Sequence, residues 1–159
     1  MTDDPLEEAF ARGDRRSLEQ AALRLLAGRE HSRAELLRKL SPRTGEPALL
    51  EQVLDALERQ GALSDARFVE SYIDSRRRRG FGPRRIRREL GEKGVDRTLV
   101  GQLLDETGPD WDRALAEAAR RKYGDRPPGD FRERARRARF LEYRGFAPER
   151  IRALLWGDD

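Results

Sequence analysis

One segment of the chain occurs three times, and this repeat limits the folds that the chain can adopt. The copies, which align without gaps, are REHSRAELLRKL at 29–40, RGFGPRRIRREL at 79–90 and RGFAPERIRALL at 144–155. Their apolar residues recur at helical spacing, and the fourth residue of each copy stands at a helix N-cap position. The N-cap residues are Ser32, Gly82 and Ala147. The repeat therefore predicts tandem helical units.

The residue before each N-cap predicts a hydrophobic staple, a contact with the residue five positions ahead that sets the direction in which the chain enters the helix. The staple residues are His31, Phe81 and Phe146, and their expected contacts are Leu36, Ile86 and Ile151. We expect His31 to be a packing residue, not a catalytic one, and the weakest of the three staples. Ser32 and Glu35 predict a capping box in the first copy only.

The composition favours small units over one thick core, because 36% of the residues are hydrophobic, 40% are charged and the mean hydropathy is −0.91. Helical periodicity dominates and no alternating strand pattern is sustained. We predict an all-α fold, an elongated array of three tandem three-helix repeats that resemble helix-turn-helix units. The expected parts are a loose N-terminal arm at 1–16 and repeats at 17–63, 64–107 and 108–157. The helix register of the third repeat is the least defined.

The sequence offers little of what catalysis requires. It has no cysteine, one histidine and no phosphate-binding glycine loop, and its acidic residues are scattered among basic ones on helix faces, so paired-carboxylate catalysis has no visible anchor. We expect no enzymatic activity, no catalytic residues, no cofactor and no metal site. There is also no apolar stretch of membrane-spanning length and no signal peptide, so we expect a cytoplasmic protein that does not bind membranes.

Positive charge is concentrated in two segments, although the net charge is only +4. Residues 76–93 hold nine basic and two acidic residues, and residues 120–144 hold ten and four, which leaves −9 for the remainder. Arginine forks suit phosphates and carboxylates alike, so an acidic protein groove and a nucleic-acid backbone are both admissible partners. The candidate partner-binding residues are Arg76, Arg77, Arg78, Arg79, Arg84, Arg85, Arg87, Arg88, Lys93, Arg132, Arg136, Arg137 and Arg139. For the nearby aromatic residues we expect core packing in preference to base stacking.

Three stretches of the sequence resemble the RecX family of bacterial recombination regulators. They are SRAELLRKL with the LERQGALSDARF junction, FVESYIDSRRRRGFGPRRIRRELGEKGV, and FLEYRGFAPERIRALL. The resemblance covers roughly residues 18–156 and is most specific in the middle stretch. It implies a non-enzymatic modular protein of three-helix repeats. Such a protein lies in the groove of a RecA filament on DNA and suppresses strand exchange and ATP hydrolysis, in DNA repair, recombination and the SOS response. The arginine-heavy RERARRARF segment departs from the usual family pattern.

The partner expected from the resemblance is the RecA filament, with DNA, single-stranded or filament-bound, as a second partner and the chain itself as a monomer. A direct DNA-binding protein is the alternative, in which PRRIRREL acts as a recognition helix in the major groove. That helix offers mostly arginine and no asparagine or glutamine, which suits phosphates better than base edges. A structural scaffold is a third interpretation, favoured only if the arginines are salt-bridged internally.

Overall fold

The computed structural model describes residues 5–157, with the backbone alone for residues 7–11. Over this range the chain forms nine α-helices, one short 3-10 helix at Ser41–Arg43 and no strand. The α-helices are α1 (Pro5–Gly28), α2 (Arg33–Leu40), α3 (Pro47–Arg59), α4 (Asp65–Arg78), α5 (Pro83–Glu92), α6 (Arg97–Leu103), α7 (Pro109–Tyr123), α8 (Phe131–Tyr143) and α9 (Pro148–Trp156). The prediction of an all-α protein is confirmed.

Helix α1 is longer than expected, because it begins at Pro5. Residues 5–16 are therefore helical where a loose arm was expected, and residues 1–4 of that arm lie outside the described residues. The side chains of 12–17 are exposed, whereas Leu18 is buried. Once the packed part of a helix is formed, adding one more residue costs little, so the polar segment continues the helix without a core of its own.

The chain divides into two compact units within helix α4, between Phe68 and Val69. The first unit holds the described residues up to Phe68 together with Lys93–Val95, and the second holds Val69–Glu92 and the described residues from Asp96 onward. The second unit therefore includes most of the second expected repeat and the third.

The first unit is built around an apolar core from helices α1, α2 and α3. The buried residues are Leu18, Ala21, Ala22, Leu36, Leu40, Leu50, Val53, Leu54, Leu57 and Leu63. The predicted capping box opens helix α2: the Ser32 hydroxyl accepts from the Glu35 backbone N–H at 3.1 Å, and the Glu35 carboxylate accepts from the Ser32 N–H at 3.4 Å. Glu35 is buried, and an ion pair of 2.7 Å with Arg29 balances its charge.

His31, next to this cap, is buried with both ring nitrogens hydrogen-bonded. Nδ1 donates to the Arg29 carbonyl at 3.0 Å, and Nε2 accepts from the Lys39 ammonium at 3.1 Å. This pattern requires a neutral ring with its proton on Nδ1. Burial lowers the pKa of His31 below its ordinary value, and the positive charges of Arg29 and Lys39 lower it further. The hydrogen bond to the Arg29 carbonyl and the negative charge of Glu35 raise the pKa, but they do not outweigh these causes.

The stability of the first unit is expected to fall as the pH is lowered through about 6.5, because the unfolded chain then binds a proton that folded His31 resists. One such group changes the free energy of unfolding by at most about 1.4 kcal/mol per pH unit. Urea unfolding followed by far-ultraviolet circular dichroism between pH 5 and 8 measures this slope. His31→Phe, which places the residue of the other two copies here, should flatten it. An unchanged slope in that variant would assign the pH dependence to other groups.

In the second unit, the turn before α5 contacts the turn before α9 through the backbone. The Gly82 N–H donates to the Arg144 carbonyl at 2.8 Å, and the Arg84 N–H donates to the Gly145 carbonyl at 3.0 Å. A Cβ atom on Gly82 would lie 2.5 Å from the carbonyl carbon of Gly145, and one on Gly145 would lie 2.4 Å from the Cβ of Arg85. Gly145 also has a φ of +102°, which glycine adopts without strain. The second and third copies of the repeat are thus joined at their helix starts, which explains why they share one compact unit.

The core of the second unit draws on all of its helices. Its buried residues include Val69, Ile73, Ile86, Leu90, Val100, Leu104, Trp111, Leu115, Leu141, Phe146 and Ile151. The Trp111 indole N–H donates to the Asp105 carbonyl at 2.8 Å. Arg150 of α9 donates to the Glu106 carbonyl at 2.8 Å and pairs with Asp112 of α7 at 2.6 Å. These polar contacts hold α9 against the start of α7.

Candidate functional site

Helix α5 presents an apolar side and a basic side, and its basic side is the centre of the candidate surface. Pro83 stands at its first position, where the missing N–H costs no helix hydrogen bond. Ile86 and Leu90 are buried, while Arg84 and Arg88, which are four residues apart on one helix face, are exposed. The only ion pair of Arg84 with a described residue is a long contact of 3.9 Å to Glu149, and Arg88 has none within the described range. Both guanidinium groups are available to a partner.

Phe81 lies among three guanidinium groups at the turn between α4 and α5. The guanidinium carbons of Arg76, Arg85 and Arg144 lie 4.0, 4.5 and 4.6 Å from the centre of its ring. Cations are attracted to the faces of aromatic rings, more strongly where water is excluded. Phe81 is half-buried, and its ring organises the arginine side chains around it.

Two of these arginines also share one carboxylate, that of Glu89. Arg76 and Arg85 pair with Glu89 Oε1 at 2.7 and 3.1 Å, and the Tyr72 hydroxyl donates to Glu89 Oε2. Partial burial raises the pKa of Glu89. The hydrogen bonds from Arg76, Tyr72 and Arg85 outweigh this effect and bring the pKa below its ordinary value. Burial, followed by the bond to Glu89, raises the pKa of the Tyr72 hydroxyl. Arg76 and Arg85 therefore stabilise the fold, and their charges are largely engaged.

The other candidate residues of the 76–93 segment are engaged to different degrees. Arg77 and Arg78 both pair with Asp74, at 3.5 and 2.6 Å, and Arg77 lies 5.6 Å from the Trp111 ring centre. Arg87 pairs with Glu106 at 3.1 Å. Arg79 is exposed and makes no ion pair with the described residues. Lys93 belongs to the first unit, where its charge helps to lower the pKa of Glu35.

The candidate residues of helix α8 separate into one buried and three exposed arginines. Arg137 is 7% exposed, donates to the Arg126 carbonyl at 2.9 Å and pairs with Glu133 at 2.8 Å. Its guanidinium also lies 4.7 Å from the Tyr123 ring centre. Arg137 thus fastens the loop before α8 and leaves little of its side chain accessible to a partner. The three other candidates on α8 are exposed and form no ion pair with any described residue; they are Arg132, Arg136 and Arg139.

The aromatic side chains follow the core-packing expectation only in part. Trp111 is buried, and Tyr123 and Phe140 are half-buried in an edge-to-face pair with ring centres 5.7 Å apart. Tyr143 and Trp156, in contrast, are 72% and 37% exposed. Tyr143 lies 5.1 Å from the guanidinium of Arg85, so it extends the arginine and aromatic cluster toward solvent.

Sequence reasoning missed Arg144, which contacts two aromatic rings. Its guanidinium lies 4.6 Å from the centre of Phe81 and 5.0 Å from that of Phe140, and it donates to the Arg79 carbonyl at 3.3 Å. A signal was present, because Arg144 occupies the same place in the third copy as Arg79 does in the second.

Other kinds of site find little support in the described part of the chain. Its His, Asp and Glu side chains form no group of three that could hold a metal ion. None of its helices is both long enough and apolar enough to cross a bilayer. A helical-repeat fold with exposed arginines on α5 and α8 defines a class of protein that acts through a binding surface.

Comparison with known proteins identifies the family. Residues 64–104 match the family model of the second three-helix domain of RecX, and residues 110–155 match that of the third. A regulatory protein RecX from Ectopseudomonas mendocina is 45% identical over 159 residues, which cover 100% of this chain and 99% of that protein. One from Pseudomonas entomophila is 47% identical over 143 residues, 90% of this chain and 92% of that protein. The chain belongs to the RecX family.

Solved structures support the same fold. A crystal structure of RecX from Lactobacillus salivarius superposes with a TM-score of 0.75, over 91% of this chain and 96% of that one, at 19% identity. Another crystal structure, of a regulatory protein RecX, gives a TM-score of 0.74 over 99% of this chain and 80% of that one, also at 19% identity. At this identity the likeness establishes the fold and carries no information about individual contact residues.

Proposed function

We propose that this chain is a non-enzymatic regulator of RecA, which binds RecA nucleoprotein filaments and inhibits their recombinase and ATPase activities in DNA repair and recombination. Membership of a family of regulatory proteins supports the regulatory role, and the family resemblance supplies RecA as the partner. The basic side of helix α5, with Arg84 and Arg88, is the contact that we assign to the filament.

The observation that carries this assignment is that Arg84 and Arg88 are exposed while their neighbours are engaged. Arg76 and Arg85 both form ion pairs with Glu89. Arg84 has one long contact to Glu149, and Arg88 forms no ion pair with a described residue. Exposed charges contribute little to folding, but they govern encounter and specificity with a partner of opposite charge. An acidic filament surface and DNA phosphates within the filament both provide that charge.

Reversing both charges in Arg84→Glu/Arg88→Glu is expected to abolish most of the inhibition of RecA-driven ATP hydrolysis. The change lowers the net charge of segment 76–93 from +7 to +3 and leaves Ile86 and Leu90 in place. We expect the concentration for half-inhibition to rise at least about tenfold, and wild-type inhibition to weaken as salt rises. ATP hydrolysis is measured on single-stranded DNA saturated with RecA, so that the loss reports on the filament.

The matched control is Arg24→Glu/Arg38→Glu, which makes the same charge change at exposed arginines of the first unit that have no ion pair with a described residue. This control should retain inhibition within about twofold, because our proposal assigns the filament contact to α5 and not to the first unit. Circular dichroism verifies that both double variants are folded. Full inhibition by Arg84→Glu/Arg88→Glu across the salt range would show that the basic side of α5 is only a solvated face.

Direct DNA binding is the second candidate, because α5 is the second helix of a three-helix unit and exposes two arginines. Co-sedimentation with single-stranded DNA, with and without RecA, separates the two functions. A filament regulator sediments more completely when RecA is present. Strong binding to bare DNA that RecA does not increase would favour the DNA-binding function and count against our proposal.

A further inference from the structure

We infer that the second unit contains a binding pocket for a phosphate monoester, the terminal phosphate of a nucleotide or of a nucleic-acid strand. The pocket lies beside the turn between α4 and α5 and has a volume of about 190 Å³. Four basic residues line it, namely Arg79, Arg121, Lys122 and Arg144. Phe140 forms one wall, and the other lining residues, Gly80 and Ala118, are small. No carboxylate is among these lining residues.

Three of the four cations keep their charge available. Arg121 pairs with Glu117 at 3.1 Å, but Arg79, Lys122 and Arg144 make no ion pair with any described residue. Lys122 and Arg144 lie 5.3 and 5.0 Å from the centre of the Phe140 ring, which attracts cations without neutralising them. Three uncompensated positive charges around a small pocket repel one another, and a bound anion would remove that repulsion.

Two of the guanidinium groups are held in place before any ligand binds. Arg121 donates to the carbonyl of Arg78, and Arg144 donates to the next carbonyl along the chain, that of Arg79, at 3.3 Å. The two small lining residues, Gly80 and Ala118, have no side chain beyond Cβ and so leave room for a ligand beside these arginines. A site whose donors are already oriented loses less conformational entropy when its ligand binds.

The charge and the donor geometry favour a phosphate monoester over other anions. A monoester carries between 1.5 and 2 negative charges near pH 7 and has three free oxygens, which suits the three cations of the pocket that form no ion pair with a described residue. A phosphodiester or a carboxylate has a single negative charge and two free oxygens, and would leave donors and charge unmatched. The ligand class is therefore a terminal phosphate, and neither a backbone phosphate nor an acidic side chain.

The test uses the full chain, without RecA, and thymidine 5′-monophosphate as the probe, with binding followed by phosphorus NMR at 50 mM salt. Wild type should bind the probe, and Arg79→Ala/Lys122→Ala should weaken binding at least about tenfold. The control Arg24→Ala/Arg38→Ala removes the same charge from exposed sites of the first unit and should change binding by less than about twofold. Circular dichroism checks folding, and Lys122→Ala alone serves as a milder variant.

Comparison ligands distinguish the sources of the phosphate. The diester dinucleotide TpT should bind at least about tenfold more weakly than the monophosphate, and binding of the monophosphate should weaken below pH 6 as its second proton returns. Equal affinity for inorganic phosphate and for the nucleotide would show that the pocket recognises the phosphate group itself. Tighter binding of a 5′-phosphorylated thymidine 10-mer than of its 5′-hydroxyl form would assign it to a strand end, and both results support the inference.

Three results would overturn the inference: no binding of the probe to wild type, equal losses in the pocket and control variants, or equal affinity for TpT or a tetraglutamate peptide. The inference goes beyond the proposed function and stands or falls separately from it. Its assay contains no RecA, and the two arginines used to test filament binding, Arg84 and Arg88, are not among the pocket residues.

Discussion

Replacing Phe146 with alanine is expected to lower the free energy of unfolding of the second unit by about 4 kcal/mol. Phe146 is 1% exposed at the N-terminal side of α9, so its loss leaves a cavity that surrounding backbone cannot fill easily. Both tryptophans, Trp111 and Trp156, belong to the second unit, so urea unfolding followed by tryptophan fluorescence reports on this unit alone.

Phe81→Ala is the matched control, since Phe81 occupies the same position in the preceding copy but is half-buried beneath guanidinium groups. We expect it to cost about 1–2 kcal/mol, from partial loss of apolar burial and of the cation–π contacts. Equal losses for the two alanine variants would mean that burial does not set the contribution of these staples.

Gly82→Ala is expected to destabilise the second unit by about 3 kcal/mol or more, which exceeds what an alanine at an N-cap costs by itself. The new Cβ would lie 2.5–2.6 Å from backbone atoms of Gly145 and Phe146. Backbone atoms cannot rotate away as a side chain does. The turn before α5 must therefore separate from the turn before α9, which breaks the two hydrogen bonds between them.

Gly91→Ala is the same substitution inside helix α5, where nothing lies within 4 Å of the added Cβ. It should raise the free energy of unfolding by about 1 kcal/mol, through the higher helix propensity of alanine. Opposite signs for Gly82→Ala and Gly91→Ala in tryptophan-monitored unfolding would establish the close backbone contact. A stabilising or neutral Gly82→Ala would contradict it.

The helices could be predicted from the sequence because their signals are local. The capping box of Ser32 and Glu35, the prolines that open α5 and α9, and the spacing of Ile86 and Leu90 all act within one or two helical turns. The membership of the second and third repeats in one compact unit could not be predicted, since it rests on Gly82 meeting Gly145. Nothing local indicates that contact.

The candidate site was predicted less well, because a run of arginines in the sequence does not show which of them contact other residues of the fold. Arg76 binds Glu89, 13 positions away, and Arg137 binds the carbonyl of Arg126. Arg144 lies against Phe81, which is remote in sequence. Partners of this kind are set by tertiary packing, so charge density identified the basic segments but not the arginines that remain exposed within them.

The joined turns of the second unit also set an order of events during synthesis of the chain. The ten residues of the apolar core built from α1, α2 and α3 lie between positions 18 and 63, so this core can form early, while the second unit waits until residue 146 has left the ribosome. Until then the turn before α5 lacks its two hydrogen bonds to the turn before α9. The arginines that flank Ile86 and Leu90 act meanwhile as gatekeepers, since charges beside exposed apolar residues oppose aggregation of the unfinished unit.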